Sequence, residues 1–141
     1  MSDATAGGAN TAQRFAASLK YDDNGLIPAV IQDATDNTVL MVAYMNSEAV
    51  LRTLTAGRTH FYSRSRRKMW MKGEESGNVQ EVVEVLFDCD ADCLLIRVIQ
   101  RGGAACHTGY RSCFFRSVGL DGVVRTKGTP LFDPAKVYGQ K

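Results

Sequence analysis

The sequence predicts an α+β fold, with a mostly antiparallel sheet and one or two short helices in a single domain. Apolar, β-branched runs outnumber the segments with helical periodicity. Short polar turns join these runs, and the sequence lacks the long alternation of strand and helix that builds parallel sheets. A length of 141 residues fits one domain with its own hydrophobic core.

The first half of the chain predicts a hairpin followed by a helix. Residues 14–20 allow one or two helical turns. Apolar runs at 26–32 and 38–45 flank a polar turn, which predicts a β-hairpin. Residues 47–56 follow an Asn-Ser pair suited to capping and precede Gly57, which is typical of a short helix.

The second half predicts further short strands joined by polar loops. The predicted strands are 59–63, 69–72, 79–87, 94–100 and 112–116. The third and fourth of these form a hairpin whose connection is an acidic segment, residues 88–93. We therefore expect a disordered lead-in over residues 1–12, one domain over 13–116, and a C-terminal extension of that domain over 117–141.

Composition and charge exclude several classes of protein. The chain is 45% apolar and 23% charged, as ordinary globular proteins are. A net charge of +2 is too small to indicate nucleic-acid binding by itself. No apolar run approaches the ~20 residues of a membrane span, and the N-terminus does not resemble a secretory signal. We therefore expect a cytoplasmic protein with no membrane partner and with reduced cysteines.

All four cysteines lie in one short span, at Cys89, Cys93, Cys106 and Cys113. In a reducing compartment such a cluster more often binds metal or catalyses a reaction than forms disulfides. Three thiolates with an open position make a catalytic zinc site, whereas four make a closed, structural one. Cys93 also suits a purely apolar role, because it opens the apolar run 94–96. The sequence predicts zinc and leaves the number of ligands open.

Three aspartates alternate with small residues or cysteines in the acidic segment: Asp88, Asp90 and Asp92. The spacing is like the start of an EF-hand loop, but Cys93 and Ile99 stand where that loop needs a glycine and a bidentate glutamate. Carboxylates at this spacing repel one another, and a hard cation such as Mg²⁺ relieves that repulsion. The alternative is a solvated acidic turn.

Basic residues surround Trp70, at Arg64, Arg66, Arg67, Lys68 and Lys72. Arginine side chains match phosphate oxygens, so a phosphate site is one interpretation. A single-stranded nucleic-acid platform, with Trp70, Tyr62 and Phe61 stacking on bases, is a second interpretation. A solvated charged loop is a third.

Two further side chains are candidates for proton transfer. His107 directly follows a candidate zinc ligand, where it can reach a water at the metal, and is the predicted general acid or base. Glu74 is predicted to orient a ligand amine or to act as a second acid or base. The alternative for His107 is a histidine whose hydrogen bonds are purely structural. The alternative for Glu74 is solvation, the usual state of a glutamate in an exposed loop.

Several motifs appear together and in a fixed order. They are FYSRSR at 61–66, WMKGEESGNVQ at 70–80, DCDAD at 88–92, CHTG at 106–109 and SCF at 112–114. In this order they resemble the phosphoribosyl-AMP cyclohydrolase family of histidine biosynthesis. The likeness extends roughly over residues 26–115.

The resemblance implies a homodimeric enzyme that carries zinc and magnesium. The implied zinc ligands are Cys89, Cys106 and Cys113. The implied magnesium ligands are Asp88, Asp90 and Asp92. Cys89 would come from the other subunit, so that the zinc site is shared. Cys93 has no counterpart among these ligands, which leaves open whether it caps the zinc.

The implied reaction opens the adenine ring of N1-(5-phosphoribosyl)-AMP, by water attack at C6 and cleavage of the N1–C6 bond. The partner is then a small nucleotide and not a nucleic acid. This substrate carries a ribose phosphate at each end, so we expect Arg64 and Lys72 to hold phosphates. Trp70 and Glu74 would complete the substrate site, with His107 as the catalytic group. The alternatives are a zinc-stabilised single-stranded nucleic-acid-binding module and a structural protein with four thiolates on one zinc.

Overall fold

The computed structural model describes residues 4–131, in which two helices and eight strands are present. Helices α1 and α2 span Ala4–Ser18 and Ser47–Ala56. The strands are β1 Ile27–Asp33, β2 Val39–Met45, β3 His60–Ser63, β4 Lys68–Met71, β5 Gln80–Phe87, β6 Leu94–Gln100, β7 Arg116–Val118 and β8 Val124–Thr126. The predicted α+β class is confirmed.

A four-stranded sheet in the order β2-β1-β6-β5 forms the centre of the protein. Two antiparallel hairpins build it, β1 with β2 and β5 with β6. The hairpins meet along β1 and β6, which run parallel. The sheet is therefore mostly antiparallel, as predicted, with one parallel pair at its centre.

The core lies between this sheet, α2 and the β3–β4 hairpin. Alternate residues of β1 and β6 are buried, as the period of two in a strand requires. Ile31 and Ile96 from the sheet meet Val50 of α2 and Phe61 of β3 in one cluster. Burying a side chain of this size stabilises the fold by about 1.5–3 kcal/mol. This cluster holds the β3–β4 hairpin against the sheet.

Helix α2 begins and ends where the sequence predicts. The Asn46 side chain accepts a hydrogen bond from the Ala49 N–H at its start. At its end Gly57 adopts a left-handed φ of 72°, and its N–H donates to the Thr53 carbonyl. Because a residue with a Cβ pays about 1–2 kcal/mol for that conformation, glycine is the residue that ends the helix here.

Two predictions near the chain ends differ from the structure. Helix α1 begins at Ala4, inside the segment 1–12 that was expected to be a disordered lead-in. Alanines at four positions of that segment have high helix propensity and outweigh the adjacent glycines.

The strand predicted at 112–116 is wrong. Residues 112–115 are irregular, because the Ser112 hydroxyl and the Cys113 N–H bond to β2 carbonyls in place of a backbone ladder. The next strand begins at Arg116 and pairs with β8 in a hairpin that the sequence did not predict. Residues 132–141 of the predicted extension lie outside the described residues. No helix within residues 4–131 is long and apolar enough to span a membrane.

Candidate functional site

The acidic segment 88–93 forms the turn between β5 and β6. The Asp88 N–H donates to the Cys93 carbonyl over 3.1 Å, and Ala91 adopts a left-handed φ of 61°. That conformation costs a residue with a Cβ about 1–2 kcal/mol. The Lys20 N–H donates to the Ala91 carbonyl over 2.8 Å and holds the turn in place. The turn gathers three carboxylates within 4.8 Å of one another, those of Asp88, Asp90 and Asp92.

These exposed carboxylates interact with one another through hydrogen bonds and like charge. Interactions with the Asp90 and Asp88 side chains raise the pKa of Asp92 to about 6. Desolvation by itself raises the pKa of Asp88, but hydrogen bonds from the Asp92 and Cys93 backbone N–H groups, at 2.9 and 3.2 Å, bring it below its usual value. Because the raised pKa of Asp92 results from the neighbouring Asp90 and Asp88 carboxylates, the acidic turn favours the binding of positive charge. A divalent cation with a preference for oxygen ligands fits this donor set.

The thiols of Cys106 and Cys113 lie at the two ends of a loop between β6 and β7. Its arms pair through the Ala105 N–H to the Arg111 carbonyl at 3.0 Å, and the Cys106 N–H to the Tyr110 carbonyl at 3.1 Å. These two bonds close the loop, so that residues near 106 and near 113 are held side by side.

The two sulfurs differ in their surroundings. Cys106 is buried, and its Sγ lies 2.8 Å from Thr108 Oγ1. Cys113 is exposed as a residue, but its thiol faces Cys106. Burial and then the neighbouring Cys106 raise the pKa of Cys113 to about 12. The Cys113 thiol therefore resists ionisation in the absence of a cation, and a pair of sulfur donors suits zinc.

Lys72 lies beside this thiol pair, and only 7% of the residue is exposed. Its Nζ donates a hydrogen bond to the Ala105 carbonyl, and its backbone N–H donates to the Thr59 carbonyl over 3.1 Å. Burial lowers the pKa of Lys72, while the neighbouring Cys113 and Cys106 oppose that lowering. The buried Lys72 side chain therefore differs from the exposed phosphate ligand that the basic loop led us to expect.

The other two cysteines lie apart from this pair. Cys89 is exposed on the acidic turn. The three sulfurs predicted to bind zinc are all in the part of the chain that the structure describes, yet they do not form a metal-sized cluster in one subunit. Cys93 is half-buried, with its Sγ 3.8 Å from the Leu94 carbonyl. Burial and then Asp88 raise the pKa of Cys93.

The basic loop belongs to the β3–β4 hairpin. The Arg64 guanidinium lies over the Tyr44 ring, 4.2 Å from its centroid, and remains exposed. Trp70 is half-buried and packs on Phe61 with ring centroids 5.0 Å apart. Arg64 is the first residue of the hairpin turn, and Lys72 follows the far end of β4. Four residues of extended chain, about 13 Å, therefore separate the two ends that carry the predicted phosphate ligands.

Glu74 and His107 occupy exposed loops. Glu74 Oε1 accepts a hydrogen bond from the Met71 N–H over 2.7 Å, so this carboxylate caps its own loop. The Gly77 N–H donates to the Gly73 carbonyl over 2.9 Å and closes the same loop. His107 is exposed to solvent, whereas its neighbour in the chain, Cys106, is buried.

A buried polar network behind the site was not predicted from the sequence. Thr59 Oγ1 donates to Gln80 Oε1 over 2.8 Å, and Gln80 Nε2 donates to Gln100 Oε1 over 2.8 Å. Gln80 is fully buried. The sequence offered one sign of this network, because Gln80 is a polar residue at an inward-facing position of a strand. The network fixes Thr59, whose carbonyl holds Lys72.

An ion-pair cluster beside the thiol loop was also missed. Arg111 Nη2 lies 2.9 Å from Asp33 Oδ2 and 2.9 Å from Asp36 Oδ2. More than 70 residues separate Arg111 from both aspartates in the chain, so local sequence patterns carry no sign of this contact.

Comparison with known proteins places these features in a single family. The family profile described as phosphoribosyl-AMP cyclohydrolase matches residues 41–115. That range contains the β3–β4 hairpin, the acidic turn and the thiol loop as far as Cys113.

Curated relatives are similar over most of their length. Two proteins named phosphoribosyl-AMP cyclohydrolase, from Pelotomaculum thermopropionicum and Methanoregula boonei, are 56% and 57% identical over 124 and 122 residues. These alignments cover 88% and 86% of this chain and 95% of each relative. A third protein of that name, from Geobacter sulfurreducens, is 61% identical over 114 residues, which are 81% of this chain and 90% of the relative.

Proposed function

The chain belongs to the phosphoribosyl-AMP cyclohydrolase family, and from this premise we propose how its residues divide the reaction. The proposed substrate is N1-(5-phosphoribosyl)-AMP, and the proposed reaction is hydrolytic opening of its adenine ring in histidine biosynthesis. The observation that carries the proposal is the match of the family profile over residues 41–115, which include both candidate metal-binding loops.

The reaction adds one water molecule and breaks one ring bond. The water oxygen bonds to C6, the N1–C6 bond breaks, and the water's protons are redistributed so that C6 becomes a carboxamide and N1, still bonded to C2, becomes part of a neutral amidine. The phosphoribosyl group on N1 gives the purine positive character, which makes C6 more electrophilic. The protein must therefore supply a base for the attacking water and hold both ribose phosphates.

Zinc would be held by Cys106 and Cys113 of one subunit and Cys89 of a second. When bound, zinc supplies a Lewis acid that lowers the pKa of a water towards ~7. The raised pKa of Cys113, caused by burial and by Cys106, fits a thiol that ionises when it receives a cation. Cys93, with its sulfur near its own strand, is left out of the ligand set.

His107 is the proposed general base and, later, the general acid. It is exposed and adjacent in sequence to Cys106, so a water near the thiol pair lies within reach of its ring. A histidine ordinarily titrates close to neutral pH, which lets it take a proton from water and return it to N1.

Magnesium would be held by the carboxylates of the acidic turn, Asp88, Asp90 and Asp92. Their separation of no more than 4.8 Å and the proton retained by Asp92 to about pH 6 support this assignment. A magnesium ion here would offset most of the negative charge of the turn and would supply positive charge for a phosphate group of the substrate.

Four residues are proposed to bind the substrate: Arg64, Trp70, Lys72 and Glu74. The exposed Arg64 guanidinium suits a phosphate, and the half-buried Trp70 ring of the same hairpin would contact the rest of the substrate. Lys72 is buried next to the thiol pair, so any contact with substrate would be made deep in the site, near the reacting ring. Glu74 would act through its loop, which its own carboxylate caps.

The enzyme is proposed to be a homodimer that shares each zinc site between subunits. The exposed position of Cys89 and its separation from the thiol pair within one chain support this arrangement. Exposed apolar side chains near Cys89 and Cys113, those of Phe87 and Phe114, give the two subunits apolar surface to bury.

The direct test is hydrolysis of phosphoribosyl-AMP, followed by ultraviolet absorbance with purified protein. Activity should be lost on removal of zinc with a chelator and should return when zinc is added. Full turnover by a preparation shown to be free of metal would refute the zinc mechanism, and no turnover by zinc-loaded protein with Mg²⁺ would refute the proposed activity.

The shared zinc site has its own test, a mixture of two inactive variants. Cys89→Ala and Cys106→Ala chains, unfolded together and refolded, should form heterodimers in which one site has every ligand. Random pairing makes half of the dimers mixed, so activity should recover to about one quarter of the parent level. The absence of recovery, with heterodimers confirmed by native mass spectrometry, would rule out the shared site.

A further inference from the structure

The thiol loop is fastened to the β1–β2 hairpin at three successive residues. Arg111 makes its two ion pairs with Asp33 and Asp36 of that hairpin. Ser112 Oγ donates to the Val39 carbonyl over 2.7 Å. The Cys113 N–H donates to the Leu40 carbonyl over 2.7 Å. The chain at Cys113 and at the two residues before it is therefore attached to the sheet.

The two aspartates form a prepared receptor for the guanidinium group. Asp33 Oδ1 accepts hydrogen bonds from the Thr35 N–H at 2.8 Å and the Thr35 hydroxyl at 2.6 Å. Asp36 Oδ1 accepts one from the Thr38 N–H at 3.1 Å. In both residues the hairpin uses Oδ1, and Oδ2 accepts from Arg111. Both carboxylates are thus oriented by their own turn and not by Arg111.

The turn itself is also held by Arg97 of β6. Arg97 Nη1 donates to Gln32 Oε1 at 3.1 Å and Asn37 Oδ1 at 3.0 Å, and Nη2 donates to the Ala34 carbonyl at 3.2 Å. The receptor for Arg111 therefore belongs to the rigid sheet. The sheet therefore fixes the position of the Arg111 guanidinium.

Arg111 also reaches the other sulfur through the backbone. Its carbonyl accepts the Ala105 N–H over 3.0 Å, and Ala105 directly precedes Cys106. The Ala105 carbonyl in turn accepts the hydrogen bond from Lys72 Nζ. One residue thus connects both thiols to the hairpin, by its side chain and by its main chain.

We propose that Arg111 is a positioning residue for zinc: its ion pairs with Asp33 and Asp36 hold Cys106 and Cys113 together before the metal binds. This inference rests on the zinc site of the proposed function. Without the ion pairs, zinc binding would have to order the loop, and this entropy cost would weaken the affinity. A surface ion pair with no such role would leave zinc affinity unchanged.

The test compares Arg111→Gln, Arg111→Lys and a matched control, Arg52→Gln, in the full chain. Arg52 makes an exposed ion pair with Glu48 at 3.2 Å on helix α2, away from the thiols. Zinc dissociation constants are measured by competition with a chromophoric chelator. Urea unfolding of the metal-free proteins is measured in parallel, because it separates a positioning role from a general loss of stability.

Arg111→Gln should bind zinc about 10–100-fold more weakly than the parent, with little change in the metal-free unfolding midpoint. The zinc affinity of Arg111→Lys should lie between those of the parent and Arg111→Gln, since an ammonium keeps the charge but not the guanidinium geometry. Arg52→Gln should match the parent.

Parent-like zinc affinity in Arg111→Gln would overturn the inference, and so would a loss of zinc affinity fully accounted for by metal-free destabilisation. If Arg111→Gln does not fold, Asp36→Asn removes one exposed ion pair and should still weaken zinc binding, and unchanged affinity there would also overturn it. A parent protein that binds no zinc would instead refute the proposed zinc site itself, together with this inference, so the two failures are distinguishable.

Discussion

Replacing Gly73 by alanine should destabilise the protein strongly, because two separate penalties meet at this position. Gly73 has a φ of 86°, in the left-handed region. A Cβ built there would lie 2.4 Å from Val79 N and 2.6 Å from the carbonyl carbon of Asn78. Both contacts are with backbone, which cannot rotate away as a side chain can.

Gly57 provides a matched control for the first penalty alone. Its φ of 72° is similar, but a Cβ built there meets nothing within 4 Å. Gly57→Ala should therefore cost about 1–2 kcal/mol, the penalty for the left-handed conformation. Gly73→Ala should add about 1–3 kcal/mol for the displaced backbone, for a total of about 2–5 kcal/mol.

The assay is equilibrium urea unfolding of both variants and the parent, under identical metal conditions. The expected result is a free energy of unfolding that falls more in Gly73→Ala than in Gly57→Ala. Gly73 directly follows Lys72, so a displaced loop should also disturb the residues beside the thiol pair. Equal losses in the two variants would refute the backbone contact between Gly73 and Val79.

Three further outcomes follow from the acidic turn and its neighbouring thiol. Asp90→Asn should raise the Mg²⁺ concentration needed for activity with zinc content near normal, and loss of zinc with unchanged magnesium dependence would show that the two metals are assigned the wrong way round. Cys93→Ala should keep zinc and most activity while Cys106→Ala loses both, and equal zinc loss in the two would favour a closed four-thiolate site. In metal-free protein the pKa of Asp92, about 6, lies above its ordinary 3.8, so the folded state binds more protons between these values. Stability from this group should therefore fall as pH rises from about 4 to 6, and urea unfolding across that range should lose this slope in Asp92→Asn.

Local patterns predicted the elements that carry the candidate site. The acidic turn was predicted because two apolar strands flank a polar segment of the right length, and this hairpin is confirmed. Helix α2 was predicted from its caps, since Asn46 and Gly57 are local signals that tertiary contacts need not override. The predicted family is confirmed as well, because its motifs are runs of adjacent residues.

Contacts between distant segments were beyond the same reasoning. The burial of Lys72 depends on the Ala105 carbonyl, 33 residues away in the chain, so its charge alone indicated an exposed ligand for phosphate. The parallel pairing of β1 with β6 depends on how two independent hairpins meet. The strand expected at 112–116 was wrong because the Ser112 hydroxyl and the Cys113 N–H bond to β2 without forming a ladder. The local sequence pattern does not indicate contacts of this kind.

The two candidate metal-binding loops differ in how firmly the fold supports them, and the difference has a chemical consequence. The thiol loop is held by Lys72, by Arg111 and by the edge of the sheet, so its two sulfurs are placed by contacts from three directions. The acidic turn carries the exposed Cys89 and is held mainly by its own backbone and by Lys20. Two sulfurs leave a zinc ion short of the three protein ligands of a catalytic site. If the third ligand is the Cys89 of another subunit, then the rigid half of each site lies in one chain and the exposed half in its neighbour. Zinc affinity should then depend on protein concentration below the dissociation constant of the dimer, because each site is assembled only when two chains meet.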